Sequence, residues 1–94
     1  MTTVEINKKK IYVHGHSGYG TNGNDIICAA ISTLVESTYN YLICTNNEVR
    51  SEENDGEFTI FLDEINENGE NIIKTFCDMV DDLINQYSKY IERR

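Results

Sequence analysis

The stretch GHSGYGTNGNDIIC, residues 15–28, decides the fold. Its inner part, GYGTNG from Gly18 to Gly23, matches G-x-G-x-x-G, lies between a predicted strand and a predicted helix, and so invites a phosphate-loop reading. That reading demands a parallel sheet with a second strand at βαβ spacing, and no such strand follows. Asp25 reads as the N-cap of the coming helix, which puts an acid where a pyrophosphate would sit against the helix N-terminus. With 94 residues the chain is also too short for a doubly wound nucleotide-binding domain. The glycine stretch therefore reads as a connection between a strand and a helix in a smaller α+β fold.

On its N-terminal side, TVEINKKKIYVHGH (residues 3–16) alternates as two short strands around a turn near Asn7–Lys9. Alternation sends Ile11 and Val13 to one face, and Tyr12, His14 and His16 to the other. On its C-terminal side, a helix is predicted from Ile26, with apolar positions 27, 30, 31, 34 and 35 and a pattern running to about Tyr41. The small pair Ala29–Ala30 suggests close approach of that helix to a sheet. EVRSEENDGEFTIFLDEI (residues 48–65) reads as a second hairpin, with Asp55–Gly56 as a type I′ turn whose two central residues both take positive φ. Phe58 and Phe61 lie on opposite faces of its second strand, which predicts a central position in the sheet. A second helix is expected from Asn68 or Gly69, with an apolar stripe of Ile73, Phe76, Cys77, Val80, Leu83, Ile84 and Tyr87. Asp78, Asp81, Asp82 and Gln86 fall on its solvated face. SKYIERR (residues 88–94) either extends this helix or forms a short last strand. The predicted order is ββαββα, an α+β layer of two helices on one small sheet, forming a single domain over residues 1–94.

A domain of this length buries only about 60–65% of its unfolded surface, so association with a second copy would help it. Six tyrosines can furnish a partly polar interface for that purpose. The formal net charge of −8 argues against direct nucleic-acid binding and suits a basic partner, although acidity also serves solubility alone. Three cysteines, at 28, 44 and 77, cannot all pair, which favours a reducing compartment. MTTVEINKKK has no apolar core of a signal peptide, and the unbroken apolar runs are only a few residues long, short of a membrane span. The expectation is a cytoplasmic protein without membrane contact.

Two chemistries remain for the 15–28 stretch. His14 and His16 on one strand face, with Cys28 as a thiolate, offer three ligands to a catalytic metal. Alternatively Cys28 is a nucleophile. With Asp25 as N-cap it stands at the third helical position, within the turn where the helix dipole acts. An imidazole beside it would form an ion pair with the thiolate and later protonate a leaving group, and first-turn N–H groups would hold an oxyanion. An N-cap aspartate competes for those same N–H groups, unless Asp25 turns toward the histidine instead. Free cysteines are otherwise usually inert small hydrophobes, the reading that fits Cys44 and Cys77.

GHSGYG followed by DIICAAIS resembles the G-H-A-G-Y … D-I-V-C-A-A-V-S signature of the ribosomal-processing cysteine proteases of Gram-positive bacteria and their relatives. The His16-to-Cys28 interval, the element order and the chain length agree with that family. The resemblance implies a cysteine endopeptidase without cofactor that removes the N-terminal extension of large-subunit ribosomal protein twenty-seven. It implies a catalytic dyad of His16 and Cys28, with Gly15, Asp25 and Ser32 at other signature positions. Ser17, Gly18, Tyr19, Gly20 and Gly23 would belong to a substrate-gating loop, and the protein would be a homodimer. Ser17 stands where the family has alanine, and Tyr87–Ser88 where it commonly has Tyr–Pro. The alternatives are a non-catalytic dimeric peptide-binding module and the His/Cys metal site.

Overall fold

The computed structural model describes residues 1–16 and 25–94. β1 (Thr2–Ile6) and β2 (Lys10–His14) form the first hairpin, α1 (Ile26–Cys44) follows, and β3 (Glu48–Asn54) and β4 (Glu57–Glu64) form the second hairpin. α2 (Glu67–Gln86) and a short β5 (Ile91–Arg93) complete the chain. The fold is α+β as the sequence indicates, and the last strand is present, so the order is ββαββαβ.

The strands make one five-stranded sheet in the order β3-β4-β2-β1-β5, antiparallel except where β5 runs parallel to β1. β4 lies inside the sheet, between β2 and β3, as its two apolar faces required. Each helix crosses between strands that run the same way but are not neighbours, which is why no βαβ nucleotide fold arises. Register puts Val4, Ile11, Val13, Ile60 and Leu62 on one face, where Ile27, Ile31, Val35 and Leu42 of α1 and Phe76 and Val80 of α2 cover them. Each fully buried side chain of this kind contributes about 1.5–3 kcal/mol relative to exposure. The opposite face carries no helix among the described residues.

Local chemistry sets the element ends. Asn7 Oδ1 accepts from Lys9 N at 2.8 Å and Lys10 N at 3.0 Å, closing the first turn. α2 begins one or two residues before the sequence reading because Asn66 is its cap, accepting from Gly69 N at 2.8 Å. Asn66 N in turn donates to Asn47 Oδ1 at 2.7 Å, and Asn47 Nδ2 donates to Leu42 O at 3.1 Å, which ties the end of α1 to the start of α2. Asp55 does not share the positive φ of Gly56 (73°), so the second turn is not of type I′.

α1 extends to Cys44, beyond the expected Tyr41. Its 19 residues have mean hydropathy 1.3, long and apolar enough by composition to cross a membrane, although no unbroken apolar run reaches that length. Here its apolar stripe of Ile27, Ile31, Val35 and Leu42 is spent on the core. Ala29 and Ala30 do not face the sheet as the sequence suggested. Ala29 is exposed, and both line a shallow groove between α1 and α2. Cys44 is exposed, against the expectation that it is a buried hydrophobe, because it falls on the side of α1 away from the sheet.

Candidate functional site

An open cleft of about 200 Å³ lies between α1 and the β3–β4 hairpin. Cys28, Ser32 and Glu36 of α1 line one wall. At spacings of four they follow one another along a single helix stripe, spanning about 12 Å. Glu53, Asn54 and Gly56 of the hairpin line the other, and Val13, Ile31, Val35 and Phe58 make an apolar floor. Gly15 and His16 also line the cleft.

His16 reaches this place because Gly15 ends β2. Strand alternation put His16 on the same face as His14, and the structure corrects this. Gly15 adopts φ +89°, a left-handed conformation that turns the next side chain out of the strand pattern. The turn is fixed from two sides. Gly15 N donates to Gly56 O at 3.0 Å, and a Cβ at Gly15 would collide with the Met1 carbonyl oxygen. Gly56 also backs the imidazole, since a Cβ there would lie 3.4 Å from His16 Nε2. The turn of the second hairpin therefore lies in contact range of the histidine that follows the first.

His14 stays on the helix-free face. Its Nε2 lies 2.8 Å from Glu5 Oε2, and its ring stacks on Tyr12 with centroids 4.6 Å apart. The three ligands of the metal reading are thus not brought together, and no group of three or more His, Cys, Asp or Glu side chains among the described residues could hold a metal ion. On the same face Tyr12 OH donates to Glu57 Oε1 at 2.7 Å, and that bond, followed by desolvation and the Glu57 charge, raises the tyrosine pKa above its ordinary value.

Asp25 is the N-cap of α1, in extended conformation, and its Oδ1 accepts from Ile27 N at 3.0 Å and Cys28 N at 3.1 Å. The competition foreseen in the sequence is real: the carboxylate holds two first-turn donors, including that of Cys28 itself. An oxyanion drawing on those donors must displace it. Ser32 is exposed on the cleft wall, one turn after Cys28. The expected gating residues Ser17, Gly18, Tyr19, Gly20 and Gly23 lie outside the described residues.

Sequence reasoning missed Thr2, Glu36, Glu53, Gly56 and Phe58 as cleft residues. Glu36 was within reach, because the Cys28–Ser32 row continues to it by one more step of four. The others come to the cleft only through strand pairing.

The α+β domain thus has a half-buried thiol on α1 and an out-turned histidine lining one open cleft, residue types that cysteine hydrolases use. A family model described as Cysteine protease Prp matches residues 1–92, and the chain belongs to that family; it is a cysteine protease. Among solved structures, a ribosomal processing protease Prp from S. aureus with a covalently linked product peptide is similar at TM-score 0.89 and 24% identity, covering 100% of this chain and 98% of that one. The same S. aureus protease with a substrate peptide gives TM-score 0.79 and 19% identity, with coverage of 99% and 95%. SMU.848 from Streptococcus mutans gives TM-score 0.73 and 25% identity, with coverage of 99% and 90%. No curated protein matches the sequence.

Proposed function

We propose that this chain is a cysteine endopeptidase that removes the N-terminal extension of large-subunit ribosomal protein twenty-seven, with Cys28 as nucleophile and His16 as base and acid. The observation that carries the reading is the out-turned His16, held in the same cleft as Cys28 by the left-handed Gly15. Membership of the protease family supports the reaction class, and the peptide complexes of the S. aureus protease support a peptide as ligand.

His16 takes the Cys28 proton, and the thiolate sulfur attacks the scissile carbonyl carbon. The tetrahedral intermediate collapses as the C–N bond breaks, and the imidazolium gives its proton to the leaving amine. A thioester remains on Cys28. His16 then deprotonates a water that attacks the thioester carbonyl, releasing the second product and restoring the thiol. Asp25 sets the start of α1 and so the position of Cys28, and Ser32 stands one turn further along the peptide path. Glu36 and Glu53 give the far end of the cleft a negative rim, which suits a basic ribosomal substrate. The reading expects a cytoplasmic homodimer without cofactor, membrane or direct nucleic-acid contact.

Incubation with an N-terminally extended precursor, followed by mass measurement of the products, tests it. Cleavage at one internal bond that is lost in Cys28→Ala and in His16→Ala is expected. A precursor that is bound but left intact makes the chain a peptide-binding module instead. Light scattering at the mass of one chain would remove the dimer from the account.

A further inference from the structure

Thr2 is 2% exposed, and its hydroxyl is the one buried side-chain polar atom without a hydrogen-bond partner among the described residues. The helical threonines avoid this state by turning back on their own helix. Thr33, Thr38 and Thr75 donate to the carbonyls of Ala29, Leu34 and Asn71, four residues earlier, at 2.7–2.9 Å. A strand offers no such carbonyl. Thr3, its neighbour on the other face, donates to Glu92 at 3.0 Å. Thr2 sits on the helix side of β1, one residue before the Thr3–His14 pair of the β1–β2 register and close to Gly15, and lines the same cleft as His16, Cys28 and Ile31. Its neighbours on the cleft floor, Val13, Ile31 and Val35, are apolar and offer it nothing.

We propose that the Thr2 hydroxyl is a substrate-binding group that hydrogen-bonds a main-chain amide of the peptide lying between His16 and Cys28. A hydroxyl both donates and accepts, so it can serve either the N–H or the C=O of a peptide unit. A turn of about 120° between staggered wells of the Cα–Cβ bond redirects the hydroxyl while the residue stays on the cleft wall. Free protein leaves the hydroxyl buried and unmatched, and peptide binding satisfies it. Because the hydroxyl has no protein partner to give up first, that bond counts in full toward the bound state.

The inference rests on the peptide-hydrolase reading, and its test separates the two. Thr2→Val keeps the shape and removes the hydroxyl; Thr2→Ser keeps the hydroxyl. Each is made in the wild-type chain, for kinetics and melting, and in Cys28→Ala, for binding of a peptide spanning the junction between the ribosomal extension and the mature N-terminus. Thr2→Val is expected to melt higher than wild type, to weaken peptide binding about tenfold, and to raise KM about tenfold with kcat within about twofold. Thr2→Ser is expected to bind and cleave within about twofold of wild type. Unchanged binding and KM in Thr2→Val overturn the assignment while the hydrolase reading stands. A lowered melting temperature in Thr2→Val would make the hydroxyl a structural group and overturns it too. A peptide that Cys28→Ala does not bind and wild type does not cut overturns the hydrolase reading and this inference together.

Discussion

Replacing Gly15 by alanine should damage both stability and catalysis, and the structure gives the size of each effect. The residue stands at φ +89°, where an L side chain costs about 1–2 kcal/mol. A new Cβ would also collide with the Met1 carbonyl oxygen, and Met1 C lies only 3.5 Å from that position. The obstacle is backbone, so relief requires the start of β1 to shift, at an overpacking cost of about 1–3 kcal/mol. A combined loss of about 3 kcal/mol lowers the melting temperature of a domain this small by about 10–20 °C. The functional effect runs through the next residue. Relaxing the left-handed turn rotates His16 out of the cleft, and a displacement of about 1 Å is enough to cost about a hundredfold in kcat/KM. Gly56→Ala is the control. It also has positive φ, but its Cβ would meet only the His16 ring, at 3.4 and 3.9 Å, so the melting temperature should fall by about half as much. Circular-dichroism melts and peptide-cleavage kinetics on the two variants check this. A Gly15→Ala protein that melts with wild type and cleaves at the wild-type rate would refute the claim that this glycine aims the histidine.

Asp25→Ala removes the acceptor of two N–H groups and should cost about 1 kcal/mol in a urea melt, whereas Asp25→Asn should keep most of the cap. Burial is the leading cause that pushes the Cys77 thiol up from its ordinary value, while Cys44 is exposed. A raised pKa means less thiolate at a given pH, so iodoacetamide at pH 8 should label Cys44 before Cys77, with the gap narrowing as pH rises; peptide mapping reads the order, and equal rates at pH 8 would contradict it. Glu36 and Glu53 line the cleft with no ion-pair partner among the described residues. Glu36→Lys with Glu53→Lys should raise KM for a peptide with lysines flanking the scissile bond, and should weaken the salt dependence of KM, since exposed charges are screened beyond about 8 Å at physiological ionic strength.

Much of the fold was legible because period and turn chemistry agreed. Ile11 and Val13 alternate with Tyr12 and His14, Asp25 stands before an apolar helical stripe, and Phe58 and Phe61 mark an interior strand. What failed to show in the sequence depends on contacts between distant segments. His16 followed the alternation rule on paper, but whether Gly15 continues a strand or ends it is settled by the Met1 carbonyl and by Gly56, residues 14 positions before and 41 after it in the chain. Asn66 was overlooked as a cap because Asn68 and Gly69 offered a similar signal; the bond from Asn66 N to Asn47 fixes the choice. The three-residue β5 is too short to show a period, and it forms by pairing with β1. Cys28 and Ser32 could be read as one helical stripe, whereas Thr2 enters the cleft only through the strand register.

The central claim is that the thiol of Cys28, rather than that of Cys44 or Cys77, carries the reaction. Turnover of an extended ribosomal precursor can be quenched in acid and the protein digested and weighed. The account predicts a thioester-linked N-terminal fragment on the peptide that contains Cys28, absent when His16 is replaced by alanine. Cleavage that proceeds undiminished in Cys28→Ala, or an acyl fragment carried by another residue, would contradict it.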